Sequence, residues 1–196
     1  MENTNIIEET RLGEGTNIAE FTVINDSQIG RDCDIWRFCN IYGAEIGDDC
    51  MVGSLVEIQE DAKIGDGCRI QSHAFVCSLV TLEDDVFVSH GAKFINDTHP
   101  PSGNREEWEA TKVREGASIG TNATLLPVEI GKNALVGAGA VGVASAYALA
   151  YGVGVGHLGL RGAARGSATG AGSVVDVTVA SDPLALLTRR VGPFQY

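Results

Sequence analysis

The sequence predicts an all-β chain, wound as a parallel β-helix of hexapeptide repeats with one long excursion loop and an atypical C-terminal segment. Three observations predict it. Aliphatic residues recur at steps of six, small residues recur at a fixed offset from them, and glycine is plentiful while rings are scarce: 25 glycines and 6 % aromatics in 196 residues. The series runs Leu12, Ile18, Ile24, Ile29, Ile35, Ile41, Ile46, Val52, Ile58, Ile64, Ile70, Val76, Leu82, Val88 and Phe94, with shorter steps at Ile24–Ile29 and Ile41–Ile46. It resumes at Ile119, Leu125, Ile130 and Val136. A helix would repeat at about 3.6 residues and a plain strand at about 2. A step of six fits a coil with three flat sides, one hexapeptide to a side.

Each element of the repeat has a physical reason. Three hexapeptides make one coil, so Ile29, Ile46, Ile64 and Leu82 should stack. Glycine or an acid follows the aliphatic residue at one corner (Gly13, Gly30, Gly47, Gly65, Glu83, Gly120, Gly131), where a tight turn favours such residues. The fourth residue after the aliphatic one is small, as at Thr16, Thr22, Cys33, Cys39, Cys50, Ala62, Cys68 and Ala74, and can share a narrow interior with it. Cys33, Cys50 and Cys68 hold one repeat position and should form an interior ladder of small apolar groups. Cys77 follows an inward valine and is expected to face outward. No CxxC pair is present, which favours a reducing compartment.

Composition narrows the function. Twenty-six acids against 14 bases give a formal charge of −12. That disfavours nucleic acid and anionic membranes as partners. No unbroken apolar run reaches the ~18 residues of a membrane span. The start, MENTNIIEETRLGEG, has no basic flank with an apolar run behind it, so a cytoplasmic location is expected. The balance shifts along the chain. Residues 1–141 hold 24 acids and 10 bases, whereas residues 142–196 hold 2 acids and 4 bases and are rich in Gly and Ala. Two segments follow: a β-helix over 1–141, with its excursion at 95–118, and an irregular or partly helical segment over 142–196.

The excursion, INDTHPPSGNREEWEATKVREGAS, interrupts a regular wall, and long loops of that kind usually carry function. His99 stands at its entrance beside Asn96, Asp97 and Thr98. An imidazole there can take a proton from an amine or hydroxyl, and Asp97 is the nearest carboxylate to orient it. The same residues also suit a plain loop entry, since Asn, Asp and Pro are turn formers. His73 and His90 differ in repeat phase and should not stack, which weakens a metal centre built from His73, His90 and His99.

The segment IQSHAFVCSLVTLEDDVFVSHGAKFINDTHPPSG resembles the N-acetyltransferases of nucleotide-linked 3-amino sugars. The later VREGASIGTNATLLPVEIGKNALVGAGAV resembles the acetyl-CoA-binding coils of hexapeptide-repeat acyltransferases. The likeness covers about residues 10–141. It implies a left-handed β-helix, acetyl-CoA as co-substrate, a nucleotide-linked amino sugar as acceptor, and a homotrimer with the CoA slot between subunits. By resemblance, His99 and His73 are the catalytic candidates; the Thr98-His99-Pro100 step resembles the catalytic-histidine segment of sugar O-acetyltransferases of the maltose and galactoside type, which implies His99 as general base. Gln71, Asn96 and Asp97 are the substrate-binding candidates. Gly137, Ala138, Gly139 and Ala140 let the pantetheine arm lie against the coil edge, and no metal is implied. An anionic nucleotide would need local cations such as Arg37, Lys93 or Arg114. After Val141 the chain departs from the family pattern: the usual Gly-x-Pro-Ala-Arg step is missing, and with it the expected basic contact to CoA. A genuine extension and a reading-frame shift near residues 142–160 both fit that break. Other functions stay open: an O-acetyltransferase on a sugar hydroxyl, a carbonic-anhydrase-like metal enzyme, and a non-catalytic scaffold.

Overall fold

The computed structural model describes residues 4–142; the expectations for residues 143–196, the extension and the frame shift among them, lie outside the described residues. The described chain is a parallel β-helix with three faces, consistent with the left-handed hexapeptide coil that the resemblance implies. Its first face stacks eight short strands from Ile6–Glu8 to Val141–Gly142. Its second stacks seven, from Arg11–Leu12 to Glu129–Ile130, and its third seven, from Asn17–Ile18 to Leu135–Val136. Every pairing is parallel, and the aliphatic series supplies the partners: Ile29 pairs Ile46, Ile46 pairs Ile64, and Ile64 pairs Leu82. Among the described residues no helix is long and apolar enough to cross a membrane.

The interior explains the repeat. Ile24, Ile41, Ile58, Val76, Phe94 and Leu125 are fully buried on the first face, with Ala62, Ala74, Ala92 and Ala123 between the large side chains. The small polar members also satisfy the backbone. The Thr16 hydroxyl donates to the Gly30 carbonyl at 2.7 Å. The thiols of Cys33, Cys50 and Cys68 donate to Gly47, Gly65 and Glu83 at 3.1, 3.1 and 3.2 Å. A carbonyl at the bend of a coil has no ladder partner of its own, and an unpaired buried one is costly. The cysteine ladder therefore packs and hydrogen-bonds at once.

Corners need special backbone. Asp32, Asp49, Asp85 and Asn133 take a left-handed φ between the second and third faces, and Phe21, Phe38, Leu55, His73 and Asn122 do so between the third and first. Asp and Asn tolerate that region; large apolar residues pay strain for it. Phe21 and Phe38 stack in the open with centroids 5.4 Å apart. The aspartates that follow the corner residues Gly47, Gly65 and Glu83 act as caps: Asp48 accepts from the Arg31 amide (2.7 Å), Asp66 from the Asp48 amide (2.8 Å) and Asp84 from the Asp66 amide (2.9 Å). Three of the 26 acids thus form one corner ladder.

Two expectations are corrected. Cys77 is buried, 2 % exposed, rather than outward-facing in solvent. The excursion leaves at its corner, and Asn96 Nδ2 donates to the carbonyl of the adjacent Ser78 at 3.3 Å. Burial pushes the Cys77 thiol up to about 12, and that of Cys39 up to about 11, so neither is a thiolate near neutral pH. The excursion itself is shorter than 95–118. Thr111–Val113 pairs with Val80–Leu82 on the second face, with Val113 fully buried six residues before Ile119. The loop therefore spans 95–110 and replaces one corner between the first and second faces.

Two substitutions separate filling from spacing. Ile70→Ala empties a fully buried site and should cost about 2–5 kcal/mol. Gly65→Ala removes nothing, yet its Cβ would lie 2.8 Å from the Asp84 amide nitrogen, and it should cost about 1–3 kcal/mol. Urea unfolding of both variants checks the pair.

Candidate functional site

The coil places the expected site residues on two corners. Gln71 and His73 lie between the third and first faces. The next coil brings His90 and Gly91 to that corner, the next Thr121 and Asn122, and the last described coil Gly137–Ala140. Backbone bonds fix this ladder: Gly91 N to Ser72 O at 3.1 Å, Asn122 N to His90 O at 2.9 Å, and Gly139 N to Thr121 O at 2.8 Å. His90 therefore stacks over Ser72, not over His73, as the repeat phase requires. Gly137, Ala138 and Gly139 are exposed, and Gly139 has φ +69°.

Asn96, Asp97 and His99 occupy the other corner, at the mouth of the excursion. The first face runs between the two sets, so within one chain the structure does not bring Gln71 and His73 together with His99. Nor do His73, His90 and His99 converge. Among the described residues no group of three or more His, Cys, Asp or Glu is placed to hold a metal.

The excursion is built from its own residues. Asp97 caps it: one carboxylate oxygen accepts from the His99 amide at 2.9 Å, the other from the Ser102 amide at 2.9 Å. The Ser102 amide is the main cause holding the Asp97 carboxyl below its usual range, and the His99 amide adds to it. Asp97 thus holds the backbone of His99. The hydrogen bond recorded to the ring is a different one: His99 Nδ1 lies 3.1 Å from the Thr98 hydroxyl, which donates to Glu109 Oε1 at 3.3 Å. His99 itself is exposed.

Farther along, Asn104 caps a short 3-10 turn, Arg105–Glu107, by accepting from the Glu106 amide. Arg105 reaches back to the carboxylates of Glu60 and Asp61, and its guanidinium lies 5.7 Å from the Trp108 ring centre. The Glu109 amide then bonds the Asn96 carbonyl at 3.0 Å and closes the loop. Sequence reasoning missed Thr98, Arg105 and Glu109. Adjacency to His99 was a signal for Thr98. Nothing local signals that Arg105 pairs with acids more than forty residues earlier.

The three cations expected to meet an anionic ligand differ. Arg37 pairs with Glu20 at 2.7 Å. Arg114 is held by Glu83 at 2.9 Å and Glu129 at 2.6 Å. Lys93 Nζ donates to the Gly91 carbonyl at 2.8 Å, which leaves its charge on the His90–Gly91 corner without a carboxylate partner among the ion pairs of the described residues. Lys112, with help from the Glu115 amide and Arg114, holds the Glu83 carboxyl down to about 2. A depressed carboxyl stabilises the fold above its unfolded value of about 4.3 and loses that contribution as pH falls through about 2. Glu83→Gln should therefore lower the melting temperature near neutral pH, and the gap from wild type should shrink between pH ~4.3 and ~2. Thermal melts across that window check it.

Comparison with known proteins agrees with the coil. Residues 43–78 match the sequence family described as bacterial transferase hexapeptide (six repeats). The bifunctional protein GlmU of Carboxydothermus hydrogenoformans is 30 % identical over 136 residues, 69 % of this chain and 25 % of its own length. GlmU of Idiomarina loihiensis is 35 % identical over 100 residues, 50 % of this chain and 20 % of its own. The chain thus spans about a quarter or less of these relatives. Among solved structures, a variant of AntD, an N-acyltransferase from Bacillus cereus in complex with dTDP and coenzyme A, aligns with a TM-score of 0.36 and 16 % identity, over 72 % of this chain and 74 % of that one. What the chain carries over residues 43–78 is therefore the bacterial transferase hexapeptide repeat, within a solenoid that continues the same unit on both sides.

Proposed function

We propose that this chain is an acyltransferase that uses an acyl-CoA, acetyl-CoA by resemblance, to acetylate the amino group of a nucleotide-linked amino sugar. The observation that carries the reading is an exposed imidazole, His99, held by its backbone at the corner where, among the described residues, the hexapeptide coil opens into a long loop, on a chain whose residues 43–78 match the bacterial transferase hexapeptide family.

The chemistry asks little of the protein. The co-substrate brings an activated thioester; the chain must align the nucleophile and take its proton. His99 is the proton acceptor in this reading, and Asp97 fixes where the imidazole starts from. Gly137, Ala138 and Gly139 present a bare, exposed corner against which a pantetheine arm can lie, with Ala140 half-buried beside them. Lys93, on the same edge, is the cation for a phosphate of the acceptor. Gln71 and His73 lie across the first face from His99, so both sets can act on one acceptor only if a second copy brings its corner alongside. That supports an assembly with sites between subunits, which the resemblance makes a homotrimer.

Thiol release from acetyl-CoA tests the proposal, with UDP- and dTDP-linked 3-amino sugars beside their hydroxyl-only counterparts. Release that requires the amino group is the expected result. His99→Ala should lower kcat by roughly 10²-fold or more. Release with hydroxyl acceptors alone would move the assignment to O-acetylation.

A further inference from the structure

We infer that Thr98 and Glu109 form a relay that sets the tautomer of His99, leaving its Nε2 as the proton acceptor; the catalytic consequence rests on the acyl-transfer reading above, the tautomer does not.

The argument is one of counting protons. The Thr98 hydroxyl has a single hydrogen and lies between two partners, Glu109 Oε1 at 3.3 Å and His99 Nδ1 at 3.1 Å. An ionised carboxylate only accepts, so the hydroxyl hydrogen goes to Glu109. The Thr98 oxygen then has only lone pairs to offer His99, and the bond to Nδ1 exists only if Nδ1 carries a proton. In the neutral ring this leaves Nε2 with its lone pair. When Nε2 takes a proton from an acceptor, the imidazolium still donates through Nδ1–H to Thr98, and the carboxylate of Glu109 stands behind the hydroxyl. The sequence pointed to Asp97 for this part, but both Asp97 oxygens accept backbone amides.

The relay is held at both ends. Glu109 is fixed through its amide to the Asn96 carbonyl. One residue before it, Trp108 lies beside the guanidinium that Glu60 and Asp61 hold. His99 is fixed by its own amide on Asp97. Thr98 and Glu109 are positioning residues: they act through His99 and reach no substrate atom in this scheme.

The test is the tautomer itself, read by nitrogen-15 NMR of histidine-labelled full-length protein, with the His99 signal assigned by its loss in His99→Ala. Wild type should show the Nδ1–H form. Thr98→Val removes the hydroxyl and should shift the population toward Nε2–H. Glu109→Ala frees the hydroxyl hydrogen to donate to Nδ1 and should shift it the same way, while Thr98→Ser keeps the wild-type form. An Nε2–H form in wild type, or one unchanged in Thr98→Val and Glu109→Ala, overturns the relay. In the thiol-release assay both of those variants should lose kcat by roughly tenfold at unchanged KM, with Thr98→Ser restoring it. If the tautomers behave as stated but wild type releases no thiol with any acceptor, the acyl-transfer reading fails and the relay stands.

Discussion

The width of the coil is the constraint on which everything else depends. Three short strands enclose an interior that admits one large aliphatic side chain per hexapeptide and one small neighbour. Among the described residues, nearly every large buried one is Ile, Val or Leu, and Phe94 is the single aromatic among the fully buried ones. The small partners are Ala, Cys or Thr, and Thr16, Thr22 and Cys33 each bond a carbonyl of the next coil. Packing and backbone satisfaction thus select the same small residues. That is why the sequence can be rich in cysteine without any disulfide: all five are buried and free.

The same constraint decides where function can sit. An interior this narrow has no room for a ligand, and a face made of paired strands has no spare backbone. What remains are the corners, where the chain already bends. One corner releases the excursion that carries His99, and another presents the His73, His90 and Gly137–Ala140 ladder. The charged surface follows the same geography. Aspartates cap amides along one corner, and the Glu83 cluster with Lys112 and Arg114 closes the edge beside it. Arg114 and Arg37 are occupied structurally, whereas Lys93 bonds only the Gly91 carbonyl and has no carboxylate partner among the ion pairs of the described residues.

The fold was legible in the sequence to the level of strand partners, because a period of six implies a three-faced coil in which each turn touches only its neighbours; the hand of the coil came from resemblance and not from the spacing. Val113 escaped notice because no aliphatic residue stands six positions before it; the coil restarts after a loop, not after a repeat. Cys77 misled because strand alternation predicts direction and not cover. In the excursion, sequence could locate His99 but not its partners. Asp97 is the nearer carboxylate in the chain, yet an aspartate two residues before an amide caps that amide. Glu109 reaches the ring only through Thr98, from the far end of a loop that its own amide closes on the Asn96 carbonyl.

The register across the excursion has a consequence for how such a protein can change. Thr111–Val113 joins Val80–Leu82 residue for residue, as though the chain had turned an ordinary corner. The intervening segment is therefore a module whose length the scaffold does not measure. Lengthening it costs only the slowly growing entropy of closing a larger loop, about 0.6 kcal/mol for each doubling. This corner can thus change by insertion, deletion or exchange, while the ladder beneath keeps its order and most of its stability.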